Sequence, residues 1–166
     1  VLPPLIKAMA QAETFDPKRQ KALDGIFHCA DFDGACSGKA LQQRYASVDN
    51  LTDRLTVMAL VCRLPEVGHA MREEILRDFY SQWQQQALVI DLWFNLQAQS
   101  PITDIAGIEK LVAHPSFDLK NPNRVRSVYG AFGMLNLRQL HALDGSGYQF
   151  VAAAVAEVDA LNPQIA

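Results

Sequence analysis

The chain has 166 residues, of which 49% are hydrophobic and 20% charged, and its formal net charge is −3. This balance is typical of a folded domain and excludes a disordered chain. Acidic and basic residues are interspersed, and no apolar run approaches the ~20 residues of a bilayer-spanning helix, which excludes a nucleic-acid-binding or membrane-spanning domain.

The cysteines and the first residues indicate where the protein works. Cys29, Cys36 and Cys62 are an odd number in a chain long enough to fold without disulfides, so we expect reduced thiols and a cytoplasmic location. The chain starts with Val1 rather than Met and lacks the regions of a signal peptide. We therefore expect residues 1–166 to be a single helical domain and a fragment of a larger multidomain protein.

Turn residues and apolar periodicity predict helices through the first half of the chain. A short amphipathic stretch covers residues 2–11, and Asp16 is placed to cap a helix over residues 17–29. A helix that starts at Asn50 should end before Pro65, because proline cannot continue a helix. The remaining helices of this half are predicted at residues 35–45 and 66–86.

The second half of the chain continues the same pattern. Helices are predicted over residues 88–98, 104–113, 121–132, 137–143 and 147–161. Strand signals are sparse, and short turns join successive helices. The sequence therefore predicts an all-α fold of antiparallel helix pairs stacked as an α-solenoid, a HEAT/armadillo-like superhelix that works as a monomer. It shows no clean 34- or 40-residue repeat.

One polar stretch stands out, with the sequence Asn121-Pro122-Asn123-Arg124-Val125-Arg126-Ser127. Asn121 suits a helix N-cap and Pro122 the first helical turn. Two arginines in the opening turns oppose the helix dipole, at a cost of roughly 0.3–1 kcal/mol each when exposed. They either bind something negative, or they are solvated or paired with Asp118 or another local acid.

Searches for other chemistry are negative. None of the four histidines is followed by Glu, so the zinc-protease signature His-Glu-x-x-His is absent. The six-residue gap between Cys29 and Cys36 is wrong for a zinc knuckle, and the turn between them that contains Asp31 and Asp33 is too short for a calcium loop. Gly145-Ser146-Gly147 lacks the remainder of a phosphate loop and suits a turn. We expect no catalytic residue and no metal site in this chain.

The 121–127 stretch, followed by Gly130-Ala131-Phe132, resembles the C-terminal helical domain of bacterial aminopeptidase N, a gluzincin zinc metallopeptidase family. The similarity is best from about residue 50 onward. Residues 1–7 and 15–20 instead resemble sequence that follows the Asn162-Pro163-Gln164 run in the family. The blocks that resemble the family in order are residues 49–55, 88–94, 97–101, 121–132, 141–148 and 162–164.

The resemblance implies a definite role. The zinc cofactor would lie in the catalytic domain of the same polypeptide, and this domain would close over it and contact the C-terminal, primed side of a peptide substrate. Arg126 would meet the peptide carboxylate or carbonyl groups, together with Arg124, Asn121 and Asn123. The fragment alone should not hydrolyse peptides. The alternatives are a non-enzymatic helical-repeat scaffold for protein–protein interaction and a binding protein for small acidic ligands.

Overall fold

The computed structural model describes residues 38–64, 67–161 and 163, which fall into two compact units divided after Asp78. Every regular element of these residues is helical, so the predicted all-α class is confirmed. The amphipathic stretch over residues 2–11 and the helix predicted over residues 17–29 lie outside the described residues, as do Cys29 and Cys36. Each unit is described by itself below.

The first unit contains α1 (Gly38–Ser47), α2 (Leu51–Arg63) and the first part of α3 (His69–Trp83). α2 starts where its sequence predicts, and Asn50 caps it: its Oδ1 accepts a hydrogen bond from Asp53 N at 2.9 Å, and its Nδ2 donates to Asp53 Oδ2 at 2.9 Å. α3 begins only at His69 because Gly68, at φ 74°, has left-handed backbone that a helix cannot include. The prediction of a start near residue 66 was therefore too early for the helix.

The core of the first unit lies along α2. Arg72 of α3 binds carbonyl groups at the C-terminal end of α2: its Nε donates to Val61 O at 3.0 Å and its Nη2 to Leu64 O at 2.8 Å. A cation there also matches the negative end of the helix dipole. The fully buried apolar side chains of this unit are Leu41, Val57, Met58, Leu60, Val61 and Cys62.

The second unit starts with the end of α3, which stops at Trp83 rather than near residue 86. It continues with α4 (Ala87–Ala98), α5 (Ile105–Val112) and α6 (Pro122–Val125). A π-helical turn at Arg126–Gly130 connects α6 without a break to α7 (Ala131–Leu135), so the helix predicted over residues 121–132 is longer than expected. Two further helices follow, α8 (Leu137–Leu140) and α9 (Ser146–Leu161).

Two residues fix the ends of these helices. Asn136, 1% exposed, donates from Nδ2 to the carbonyl oxygens of Ala98, Ser100 and Thr103 at 3.2, 2.7 and 2.9 Å. This ties the start of α8 to the loop after α4. At Gly147 a Cβ atom would overlap two carbonyl oxygens of α8 and lie 2.6 Å from Leu140 Cα, so only glycine lets α9 pack this closely.

Candidate functional site

The polar stretch forms the helix start that its sequence predicts. Asn121 Oδ1 accepts hydrogen bonds from Asn123 N at 3.0 Å and Arg124 N at 3.3 Å, and Pro122 occupies the first turn. The side-chain oxygen of Asn121 is thereby used for capping, whereas Asn123 is exposed. The two arginines that follow have opposite surroundings.

Arg124 is buried, with 6% of its surface exposed. Its Nε lies 2.8 Å from Asp91 Oδ1 on α4, a short ion pair whose angle departs from good hydrogen-bond geometry. Nη1 donates to Ser116 O at 2.8 Å and Nη2 to Ala87 O at 3.5 Å. The acid that pairs with this arginine is thus Asp91, and each of its three nitrogens has a partner within the second unit.

An aromatic cluster surrounds the same guanidinium group. Its carbon lies 4.9 Å from the centre of the Phe94 ring, within the range of a cation–π contact. His114 packs against the rings of Tyr80, Trp93 and Phe94. Burial, and after it the positive charge of Arg124, lowers the pKa of His114. His114 Nδ1 accepts from Ser116 N at 3.1 Å, as an unprotonated ring nitrogen does.

Arg126 is exposed and begins the π-helical turn. Such a turn contains one more residue than an α-helical turn, and π turns are frequent at functional sites. The backbone on both sides stays right-handed helical, with φ −58° at Val125 and −65° at Ala131. Ser127 Oγ donates to Arg124 O at 2.8 Å, which satisfies a carbonyl next to the widened turn. The turn brings Arg126 and Tyr129 to the same open groove.

This groove has a volume of about 630 Å³ and lies between the π-helical turn and α7 on one side and α9 on the other. Its lining is mainly apolar, and Arg126 is the one charged residue among the lining residues. The residues that line it are Asn95, Val125, Arg126, Tyr129, Gly130, Ala131, Gly133, Met134, Leu135, Phe150, Val151, Ala154, Val155 and Val158. We call it the Arg126 groove.

Tyr129 supplies a hydroxyl group at the Arg126 groove. The hydroxyl donates to Glu157 Oε2 of α9 at 3.4 Å. Burial, followed by the charge and hydrogen bond of Glu157, raises the pKa of Tyr129 to about 12. The side chain therefore stays protonated and neutral at physiological pH. The groove thus combines one cation, neutral polar groups and a large apolar wall, which suits an anionic ligand with an apolar part.

The four residues predicted from sequence thus divide into separate environments. Arg126 borders the groove, Asn123 lies on the surface, Asn121 caps the helix, and Arg124 is held inside the second unit. Substrate contact by these residues stays a prediction. Sequence reasoning missed Asp91, although a lone acid inside the apolar run Leu88–Phe94 is a signal of a paired charge.

The described residues contain neither a metal-binding cluster nor a membrane-spanning helix. Across residues 38–64, 67–161 and 163, no group of three or more His, Cys, Asp or Glu side chains is placed to hold a metal ion. None of the helices in the described part of the chain has the length and apolarity to cross a membrane.

Comparison with known proteins places this geometry in context. A family model described as a domain of unknown function (DUF3458_C) with ARM repeats matches residues 19–166. The chain is 37% identical over 127 residues to aminopeptidase N of Haemophilus influenzae, covering 76% of the chain and 14% of that protein. It is 36% identical over 129 residues to aminopeptidase N of Escherichia coli, with the same two coverages. The chain thus spans about 14% of the length of these relatives.

A solved structure agrees in fold. The crystal structure of Legionella pneumophila aminopeptidase A in complex with aspartic acid matches with a TM-score of 0.80 and 24% sequence identity. The match covers 99% of this chain and 21% of that one. At this identity it speaks for the fold alone. Together with the ARM repeats of the family model, it confirms the predicted all-α, armadillo-like solenoid class.

Proposed function

The chain belongs to the DUF3458_C family of ARM-repeat domains and is a C-terminal domain of the aminopeptidase N type, and from this we propose that it is the lid of a zinc-dependent aminopeptidase. In this proposal the parent enzyme removes N-terminal amino acids from peptides. The chain spans about 14% of the length of its aminopeptidase N relatives, and in this proposal the zinc and the hydrolytic groups belong to another domain of the same polypeptide. This domain closes the reaction chamber and contacts the far end of the peptide.

The observation that carries this proposal is the position of Arg126. Its side chain is exposed and borders an open groove, so a peptide can reach it. The planar guanidinium group pairs with both oxygens of a carboxylate. Such a charge-assisted bond contributes about 1.5–3 kcal/mol when the bound peptide excludes water from it. We therefore assign the C-terminal carboxylate of the peptide to Arg126.

The other residues of the stretch have supporting roles in this proposal. Exposed Asn123 offers its carboxamide to a peptide carbonyl or carboxylate. Asn121 and Arg124 act as positioning residues, because the side-chain oxygen of Asn121 and the guanidinium nitrogens of Arg124 bind within the chain. Asn121 fixes the start of the helix, and Arg124 fixes the helix against α4. Together they hold the backbone from which Arg126 projects.

Peptide binding tests the proposal directly. We expect the chain to bind a tripeptide with a free carboxylate, and to bind the same peptide with a C-terminal amide roughly tenfold more weakly or worse. The substitution Arg126→Ala should remove this difference, whereas Arg138→Ala, at another exposed arginine outside the groove lining, should preserve it. Isothermal titration calorimetry measures both. Equal affinity for acid and amide in the unaltered chain would overturn the assignment.

A protein-interaction scaffold remains a second candidate, because one observation favours it. Met134, Leu135 and Val155 border the groove with 77, 55 and 46% of their surfaces exposed. Exposed apolar side chains that cluster in a groove are typical of protein-binding surfaces. A scaffold would bind a helical segment irrespective of a free C-terminus. The comparison of acid and amide peptides therefore separates the two candidates.

A further inference from the structure

We propose that the Arg126 groove selects peptides whose C-terminal residue has an apolar side chain. The proposal rests on the lid function above, and it assigns a specificity to the same site. The carboxylate of that residue pairs with Arg126, and its side chain enters the groove between α7 and α9. Charge complementarity at the edge and apolar burial inside would thus recognise the same residue.

The positive charge of Arg126 in the groove supports the C-terminal residue of a peptide as the ligand. Arg126 is the one charged residue in the lining, and the neighbouring polar groups, Asn95 and Tyr129, are neutral. Asn95 Oδ1 accepts from Gln99 Nε2 at 3.1 Å, which leaves its NH2 group as the end that can donate to an anion. The C-terminal residue of a peptide presents its α-carboxylate and its own side chain from the same Cα atom.

The size and chemistry of the groove argue for an apolar side chain. Its volume of about 630 Å³ lies inside the roughly 300–1,000 Å³ range of small-ligand pockets. Its walls come from Tyr129, Phe150 and Val158, together with exposed Met134 and Val155. A leucine or phenylalanine side chain would remove this apolar surface and its own from water, whereas glycine would leave both hydrated.

The α9 wall adds discrimination against acidic side chains. Tyr129 donates its hydroxyl hydrogen to Glu157, so a carboxylate of the protein lies beside the groove. A second negative charge on the ligand would have to enter an apolar space close to Glu157. A C-terminal aspartate should therefore bind worse than leucine, although Arg126 attracts both of its carboxylates.

A peptide series tests the proposal on the chain itself. The probes are Ala-Ala-Gly, Ala-Ala-Leu, Ala-Ala-Phe and Ala-Ala-Asp with free carboxylates, and Ala-Ala-Leu amide. We expect the leucine and phenylalanine peptides to bind about tenfold or more tightly than the glycine peptide, and the aspartate peptide more weakly than leucine. Titration calorimetry gives the dissociation constants.

Two groove variants and one control complete the test. Val155→Asn makes the wall polar, and Gly133→Leu fills the groove at a position where a Cβ would meet only Val151 Cγ2 at 3.9 Å. Both should bring the leucine peptide to the affinity of the glycine peptide while keeping the preference for acid over amide. The control Leu92→Asn alters a residue outside the groove lining whose exposed fraction, 45%, matches the 46% of Val155. It should change neither the preference for leucine over glycine nor the preference for acid over amide.

The contrary outcomes are distinct. If all free-carboxylate peptides bind equally and the amide is still weaker, the lid proposal stands and the selection of apolar residues is overturned. The same holds if leucine is preferred but both groove variants retain the preference. If acid and amide bind equally, the carboxylate assignment fails, and the selection that rests on it fails with it.

Discussion

Arg124 and Arg126 are two residues apart in one motif, yet they serve two different regions of the second unit. The anchor region around Arg124 is packed: the guanidinium group meets Asp91, two carbonyl oxygens and the Phe94 ring. The groove region around Arg126 is open and apolar. Arg124 therefore stabilises the helix, whereas Arg126 is available to a ligand.

The difference follows from helix geometry. Residues two apart in a helix point in nearly opposite directions, so one side of the helix faces α4 while the other faces α9 and solvent. Burying Arg124 requires paired charge and filled hydrogen bonds, which Asp91 and the two carbonyls supply. Arg126 needs no such partners because water reaches it. Three predictions test this division of roles.

The largest effect is expected from Arg124→Ala. It leaves Asp91, whose side chain is only 15% exposed, without its cation, and losing one member of a buried ion pair costs about 3–5 kcal/mol of the free energy of unfolding. Arg126→Ala, at an exposed side chain, should change this free energy by no more than about 0.5 kcal/mol. Urea denaturation followed by circular dichroism gives both values. If the two variants lost similar amounts of the free energy of unfolding, a stabilising role that belongs to Arg124 and not to Arg126 would be contradicted.

A smaller effect is expected on the groove side from Gly147→Ala. The added methyl group would overlap the backbone of α8, and overpacking of this kind costs about 1–3 kcal/mol. Because α9 forms one wall of the Arg126 groove, its displacement should also weaken peptide binding. The matched control for the free energy of unfolding is Gly133→Ala, whose methyl group meets only Val151 Cγ2 at 3.9 Å.

The Gly133→Ala control should keep its stability, since alanine favours a helix over glycine by roughly 0.5–1 kcal/mol. Thermal denaturation of the two glycine variants tests the effect on stability, and the affinity of Gly147→Ala for one tripeptide, compared with that of the unaltered chain, tests the effect on binding. An unchanged free energy of unfolding in Gly147→Ala would mean that α9 is free to shift away from α8.

The smallest effect concerns the protonation of His114. Its pKa is lowered from the ordinary value of 6.5 by burial and then by Arg124, so the folded state favours the neutral ring. Its contribution to stability is present above about pH 6.5 and is lost as pH falls through the lowered pKa, because the unfolded chain then binds the proton more readily.

A titration of the His114 ring by NMR compares the two arginines directly. Its pKa should rise in Arg124→Ala, which removes one of the two causes, and should stay unchanged in Arg126→Ala. If the pKa of His114 rose equally in both variants, both arginines would act on the ring, and their environments would not be separate.

Local signals in the sequence predicted a large part of this structure. The helix starts at Asn50 and Asn121 were predicted correctly, and so was the capping role of Asn121, because capping depends on residues within one turn. The all-α class followed from apolar periodicity. Helix ends were less accurate: α3 starts after the left-handed Gly68 and stops at Trp83, since turn geometry and packing set these limits.

The site was less predictable because its parts come from distant segments. Asp91 lies 33 residues from Arg124, and the groove combines α7 with α9, so only the fold brings them together. The opposite environments of the two arginines were invisible for the same reason. The π-helical turn has no local sequence signal that separates it from an α-helix, since none of its residues has the positive φ that favours glycine.

The π-helical turn also fixes how many residues can separate Arg126 from Phe132. Each residue added to or removed from a helix rotates everything beyond it by about 100°. Deleting one residue between Arg126 and Gly130 would restore an ordinary helical turn but swing the fully buried Phe132 out of the core, or else carry Arg126 away from the groove. Within this stretch the number of residues, as much as their identity, is part of the site.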